Sequence, residues 1–340
     1  MEKTFTVTIE PAHVSFNVKQ DENILAAAKR QGLYLPHSCC GGFCGVCKTK
    51  MSSGSVEHDS YDSKYALPDE EKNQNMILTC RAKAQSDLVL ELPELTAENM
   101  QQKIYNTTVA SIEYIHDVAV FELQLQAGQS FDFQPGQYID IVLQDGQSRS
   151  YSIANASSNT GRITLHARAQ NNGLFSNYAF NYMKVGHTVQ IKGPYGNFTY
   201  QPAAKQSVIF LASGTGFAPV NSILETIASY KPEEQPVIYF YWGARKLDDL
   251  YLLDVAKAFA DKLRRYYFVP VLSEPLEEDH WTGRTGLVHQ AVLDDFVDLQ
   301  FYEVYACGAP AMIDAAYTTF TKERALPLQA FHSDVFSASA

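Results

Sequence analysis

Four cysteines, Cys39, Cys44, Cys47 and Cys80, set the chemistry open to this chain. The first three read C-x4-C-x2-C within Cys39-Cys40-Gly41-Gly42-Phe43-Cys44-Gly45-Val46-Cys47, and the fourth stands alone further on. That is the ligand spacing of a plant-type [2Fe–2S] cluster. Thiolates are soft ligands suited to iron–sulfur units, and glycines let a loop wrap closely and turn its N–H groups toward the sulfurs. Such a centre moves one electron at a time, so the spacing points to electron transfer. A structural zinc site is the alternative, although zinc ligands usually come as two short CxxC-like halves rather than three on one loop. A Rieske centre needs two histidines; His37 precedes the loop with no second histidine placed to match it. Cys40 reads as a bystander, because Cys39 keeps the four-residue gap to Cys44.

Four further motifs could hold cofactors. Arg149-Ser150-Tyr151-Ser152 offers a guanidinium fork for a pyrophosphate, a ring to stack on a flat isoalloxazine and a hydroxyl for a ring nitrogen; an edge strand with a packed Tyr is the plainer reading. Gly173-Leu174-Phe175-Ser176 opens a short helix and could meet an anion or simply cap the helix. Gly214-Thr215-Gly216-Phe217-Ala218-Pro219 follows an apolar run and begins a helix, the setting in which backbone N–H groups approach a pyrophosphate. Tyr305-Ala306-Cys307-Gly308-Ala309-Pro310 marks another strand-to-helix turn, at the carboxyl end of a strand where open α/β sheets bind ligands.

The elements that must position these groups fall into three stretches. Up to about residue 95 the pattern is strand (4–9), strand (15–18), helix (24–30), cysteine loop and closing strand (88–92), a small α+β module. A polar linker follows at 96–103. Short strands at 109–115, 118–126, 138–143, 149–153, 163–169 and 188–192, with a helical insert at 174–182, suggest a barrel over 104–202. From 203 to 340 strands alternate with helices: strands at 208–212, 237–242, 267–272 and 303–306, helices at 217–229, 247–260 and 309–324, and a last strand at 329–332. This is the rhythm of a parallel α/β sheet.

The chain has 340 residues, of which 46% are hydrophobic and 19% charged. That composition excludes a disordered chain and allows several cores. A formal net charge of -11 argues against nucleic acid or an anionic membrane as partner. No apolar run reaches membrane-span length and the N-terminus lacks a signal-peptide core, so a cytoplasmic location is expected. Cysteines gathered in one region, with Cys307 apart, fit a metal site in a reducing compartment rather than a disulfide framework.

The cysteine loop, R-x-Y-S, G-x-G-x-x-P and C-G-x-P, in this order, resemble the ferredoxin-fused members of the ferredoxin–NADP reductase superfamily, in particular NADH-dependent reductase components of bacterial multicomponent oxygenases. Reductases of the CDP-6-deoxy-glucoseen type share the layout. The resemblance implies a β-grasp [2Fe–2S] ferredoxin domain, an antiparallel β-barrel FAD domain and a parallel α/β NAD(P)H domain. It implies that Cys39, Cys44, Cys47 and Cys80 ligate the cluster. By the same resemblance, Arg149 would contact the FAD pyrophosphate, Tyr151 would stack on the flavin, Ser152 would face its reactive nitrogen, and Gly173 and Ser176 would help hold the phosphates. Gly214, Thr215 and Gly216 would cradle NAD(P)H, with Cys307 and Gly308 beside the nicotinamide. Asp334 and Phe336 match the family's terminal acidic and aromatic residues near the flavin; Ser152, Cys307 and Asp334 are the expected catalytic set. Ser213 stands where the family often has the first Gly of G-G-T-G.

The implied activity is electron transfer from NADH, through FAD and a [2Fe–2S] cluster, to a partner oxygenase. The alternatives are a reductase serving a sugar dehydratase and a zinc-stabilised binding protein without redox chemistry. Cofactor preference rests on the loop after strand 237–242: Arg245 and Lys246 could meet a 2′-phosphate, whereas Asp248 or Asp249 could bind ribose hydroxyls. The resemblance leans to NADH. The run 57–71, with Glu57, Asp59, Asp62, Asp69, Glu70 and Glu71 against Lys64, could form an acidic face that steers a basic partner.

Overall fold

The computed structural model describes residues 3–336 except 38, 65, 99, 101–102, 144–145, 158–160, 171–172 and 202–206. The chain divides into two compact units, Met1–Lys103 and Ile104–Ala340. Parts of the expected linker (99, 101 and 102) and the expected boundary at 202/203 lie outside the described residues.

In the first unit, β1 (Thr4–Glu10) and β2 (Val14–Lys19) form the expected hairpin. Alternation buries Phe5, Val7, Ile9, Phe16 and Val18 on one face. The helix α1 (Ile24–Arg30) starts at Asn23, whose Oδ1 accepts from the Ala26 N–H at 2.8 Å. This is a side-chain cap on an otherwise orphaned donor. The helix buries Ile24, Leu25, Ala27 and Ala28. The stretch after the cysteine loop holds more structure than the sequence pattern suggested: β3 (Lys48–Ser53), β4 (Val56–His58), α2 (Asp69–Lys72), β5 (Met76–Leu78), β6 (Ala82–Ala84) and β7 (Leu88–Glu91). The strand β3 reads Lys-Thr-Lys-Met-Ser-Ser, too polar to alternate visibly, and is held by pairing to β7 and β5. The main sheet runs β2-β1-β7-β3-β5, with β1 and β7 parallel, and α1 packs against it. This is the β-grasp arrangement.

The second unit holds two sheets. The strands β8 (Ile104–Ile115), β9 (Val118–Leu125), β10 (Tyr138–Val142), β11 (Ser148–Ser152), β12 (Arg162–Arg168) and β13 (Thr188–Tyr195) pair antiparallel in the order β11-β10-β13-β8-β9-β12. A bridge from Ile153 to Leu165 joins the two edges and closes the barrel. The helix α3 (Leu174–Asn181) plugs it, with Phe175 packed on Phe121 at 5.9 Å.

The other sheet is fully parallel. The strands β14 (Ser207–Ser213), β15 (Ile238–Ala244), β16 (Tyr266–Leu272), β17 (Arg284–Thr285), β18 (Tyr302–Gly308) and β19 (Phe331–Val335) lie in the order β17-β16-β15-β14-β18-β19. The helices α4 (Phe217–Ala228), α5 (Leu253–Ala258), α6 (Val288–Asp295) and α7 (Pro310–Glu323) connect them. Two expectations need correction. The helix expected over 247–260 is a 3₁₀ turn at Leu247–Asp249, a break at 250–252, then α5 and a second 3₁₀ turn at Phe259–Asp261. It breaks because Asp249 and Tyr251 bond to side chains of the barrel strand β12. The last strand begins at Phe331 rather than 329, since Leu328–Ala330 is itself a turn. Among the described residues, no helix is long and apolar enough to cross a membrane.

Candidate functional site

The four predicted sulfur ligands come together in the first unit. Cys39, Cys44, Cys47 and Cys80 are all buried, whereas Cys40 is exposed. They meet in two pairs. The Cys47 thiol lies 3.1 Å from the Cys80 sulfur, and the Cys39 and Cys44 thiols hydrogen-bond to each other. The bond from Cys44, then backbone N–H groups of Phe43, Gly41 and Cys44, pull the Cys39 thiol down to about 5. The Phe43 N–H stands 3.4 Å from its sulfur. Cys47 is lowered chiefly by the bond from Cys80, while Cys44 and Cys80 are raised by sharing those bonds and by burial.

Two sulfurs on each of two centres is what a two-iron cluster asks of a protein. A tetrahedral zinc ion would draw all four onto one point. Among the described residues, no group of three or more His, Cys, Asp or Glu converges to hold a single ion. His37 is fully buried, with Nδ1 2.7 Å from the Leu35 carbonyl, which fits a structural histidine. The loop closes over the sulfurs because Gly42 adopts φ +80° and a Cβ there would sit 2.8 Å from the Tyr61 Cβ. Glycine alone takes both that angle and that approach without strain.

The remaining predicted residues lie in the second unit, in several local groups. On β11, Arg149 and Tyr151 alternate with serines. The hydroxyls of Ser148 and Ser150 donate to the buried Asp140 (3.3 and 2.5 Å), which pins the strand's register. The Tyr151 ring packs 5.1 Å from Phe175. The Arg149 guanidinium folds back on the Ser148 carbonyl and the Gln147 side chain. At α3, Gly173 is the N-cap, and the buried Ser176 hydroxyl accepts from the Gln170 N–H and donates to the Gly173 carbonyl, closing that turn. Ser152 Oγ donates to Asp334 Oδ2 at 3.4 Å. Asp334 is the β19 partner of Cys307 on β18.

Next to this cluster lies a cleft of about 520 Å³, lined by Ser213, Gly214, Thr215, Gly308 and Phe336. It opens at the carboxyl ends of the parallel strands, where sheets of this kind bind their ligands. The turn Gly214–Gly216 is 3₁₀ and runs straight into α4. Gly216 must be glycine, because a Cβ would stand 2.3 Å from the Cys307 carbonyl oxygen. Cys307 contributes this backbone contact, while its thiol is fully buried and held well above the usual range by burial and by Asp334. Ser213 Oγ accepts from the Ala309 N–H at 3.0 Å, tying the two strand-to-helix turns together.

Sequence reasoning missed a second set. On β12, His166 and Arg168 point the same way. His166 Nδ1 lies 2.7 Å from the Tyr251 hydroxyl; both side chains are buried, and burial lowers the imidazole to about 3. Arg168 Nη1 donates to Asp249 Oδ1 at 3.1 Å, and both residues line the cleft. Arg245 lines it too; Lys246 and Asp248 do not. No motif marks His166, Arg168 or Tyr251; of the set only Asp249 was singled out, for ribose hydroxyls. Only the i, i+2 spacing on each side of the contact hints at it.

Comparison with known proteins agrees. Residues 7–85 match the 2Fe-2S iron-sulfur cluster binding domain, 107–200 the oxidoreductase FAD-binding domain and 210–318 the oxidoreductase NAD-binding domain. The chain is 39% identical over 340 residues to CDP-6-deoxy-L-threo-D-glycero-4-hexulose-3-dehydrase reductase of Yersinia pestis, covering 99% of each chain. It is 34% identical to the phenol hydroxylase P5 protein of Acinetobacter pittii, covering 99% of this chain and 96% of the relative. The chain belongs to the ferredoxin-fused ferredoxin–NADP reductase superfamily.

As a member of that superfamily, the protein is an oxidoreductase that uses a [2Fe–2S] cluster, FAD and NAD(H). A solved structure of similar architecture is the Amycolatopsis cytochrome P450 reductase GcoB, with a TM-score of 0.75 and 27% identity, covering 99% of this chain and 100% of that one. The order of three domains along the reductase is the order in which its motifs were met in the sequence. Flavin accepts an electron pair as hydride and releases electrons singly, which suits a dinucleotide donor and a one-electron cluster.

Proposed function

We propose that this reductase draws electrons from NADH and delivers them to an oxygenase component. Two features support the residue assignments. The four thiols meet in two pairs, and Ser152, Asp334 and the Cys307 backbone gather beside a cleft built from the glycine turn. Cys39, Cys44, Cys47 and Cys80 hold the cluster. Arg149, Tyr151, Ser152, Gly173, Ser176 and Phe336 hold FAD, with Ser152 oriented by Asp334. Gly214, Thr215, Gly216, Cys307 and Gly308 hold the dinucleotide. The domains divide at 1–95, 104–202 and 203–340, and the protein works in the cytoplasm. NADH is preferred over NADPH.

Relatives named as reductase components support the oxygenase reading: the phenol 2-monooxygenase reductase component of Pseudomonas and the propane 2-monooxygenase reductase component of Gordonia, 30% and 33% identical. A second reading rests on the 39% identity to the dehydrase reductase, which makes the acceptor a sugar dehydrase. Anaerobic titration of the holoenzyme with NADH tests the common core. The expected result is bleaching of flavin and cluster absorbance; a protein that stays unbleached overturns it. Coupled turnover with a phenol-type oxygenase component, set against the CDP-sugar dehydrase, decides the acceptor.

A further inference from the structure

The loop between Cys39 and Cys44 carries one large side chain, Phe43, in a setting of glycines. Phe43 is 43% exposed and takes no part in the apolar core of its unit. Its ring lies over Gly41, where a Cβ would come within 2.8 Å of it. Its own N–H points at the Cys39 sulfur. An exposed aromatic ring is therefore fixed to the backbone that contacts a cluster ligand.

Two cations and one acid of the expected run stand beside this loop: Lys29, Arg81 and Asp62, whose N–H donates to the Gly42 carbonyl at 2.9 Å. Lys29 Nζ stands 4.0 Å from the Cys40 sulfur, and the Arg81 side chain packs along Gly42 and donates to the Ser60 carbonyl. Neither cation forms an ion pair among the described residues, whereas the neighbouring Arg30 is paired with Glu22. The acidic run 57–71 is partly neutralised within the unit: Asp59 pairs with Lys83 and Glu71 with Lys48. At physiological ionic strength charges act over roughly 8 Å. Charges close to the loop, rather than the net charge of -11, therefore act at a docking surface.

We infer that Phe43, flanked by Lys29 and Arg81, is the contact through which this reductase docks its electron acceptor, and that the acceptor presents an apolar socket edged with carboxylates. Aromatic residues and arginines dominate the energetics of such contacts, and rim charges set the encounter rate. The inference rests on the electron-transfer reading above and adds the chemistry of the partner.

The test uses the holoenzyme and variants Phe43→Ala, Phe43→Leu and Lys29→Glu, with cytochrome b5, a small acidic haem protein, and the basic cytochrome c as acceptor probes. NADH-driven bleaching of the chain's own cluster is followed first, by anaerobic stopped flow. It is expected to be unchanged in all variants with full iron content. Cytochrome b5 reduction falls about 10-fold in Phe43→Ala, is mostly restored in Phe43→Leu, and falls several-fold with a weaker salt dependence in Lys29→Glu. Cytochrome c reduction is not slowed by Lys29→Glu. Unchanged cytochrome b5 rates overturn the inference. So does slowed bleaching of the internal cluster, which would place Phe43 on the supply side. If NADH fails to bleach the unsubstituted protein, the electron-transfer reading fails instead.

Discussion

Ser152 and Asp334 lie 182 positions apart in the chain, yet the serine hydroxyl donates to the carboxylate at 3.4 Å. One sits at the end of a barrel strand and the other on the last strand of the parallel sheet, so the contact spans the two sheets of the second unit. Both side chains are buried.

If this pair orients the hydroxyl toward the flavin, Ser152→Ala slows flavin reduction by NADH about 10-fold, the loss of roughly one hydrogen bond. Asp334→Asn gives a smaller loss of the same kind. Rapid-mixing absorbance of the flavin checks this, and a loss of bound FAD rather than of rate would mark the pair as structural.

Cys80→Ser replaces a soft thiolate with a poor ligand and strands its partner Cys47. The expected outcome is loss of iron and acid-labile sulfide, with FAD retained in the separate second unit. Metal analysis beside flavin absorbance reads both. Retained iron would remove Cys80 from the ligand set.

His166 gives a pH dependence. Burial holds its imidazole at about 3, below the 6.5 of an exposed histidine. The unfolded chain thus takes up a proton that the folded chain refuses. Stability is complete above pH 6.5 and falls as pH drops toward 3, by up to about 1.4 kcal/mol per pH unit. At pH 5 this amounts to about 2 kcal/mol. His166→Gln removes that slope while keeping a partner for Tyr251. Denaturant unfolding followed by tryptophan fluorescence reads the correct unit, since Trp242 and Trp281 both belong to it.

The turn at Ser213 yields two contrasting substitutions. Ser213→Ala leaves the Ala309 N–H without its acceptor and should raise the KM for NADH several-fold, with a stability loss of about 1 kcal/mol. Gly216→Ala drives a methyl into the Cys307 carbonyl and should abolish dinucleotide binding. Steady-state kinetics separate them; equal KM values for Ser213→Ala and the parent would relieve Ser213 of this role.

The four cysteines that come together in the first unit stood out because three of them share one loop, where spacing is local. The barrel and the parallel sheet were legible because strand and helix periods are local too. The strand β3 was not, because its residues alternate weakly and only pairing to β7 and β5 makes it a strand. The helix expected over 247–260 failed for a related reason. Its sequence favours a helix, but Asp249 and Tyr251 are held by Arg168 and His166 from the barrel, and those bonds break it.

The order of the residues thus carries the cysteine spacing, the succession of motifs and the three kinds of domain, since each follows from neighbours in the chain. Folding in three dimensions settles which thiols pair, that Ser152 meets Asp334, that Ser213 ties two turns together, and that the acidic run spends part of its charge on Lys48 and Lys83. Those outcomes depend on contacts between residues tens to hundreds of positions apart, and no local preference encodes them.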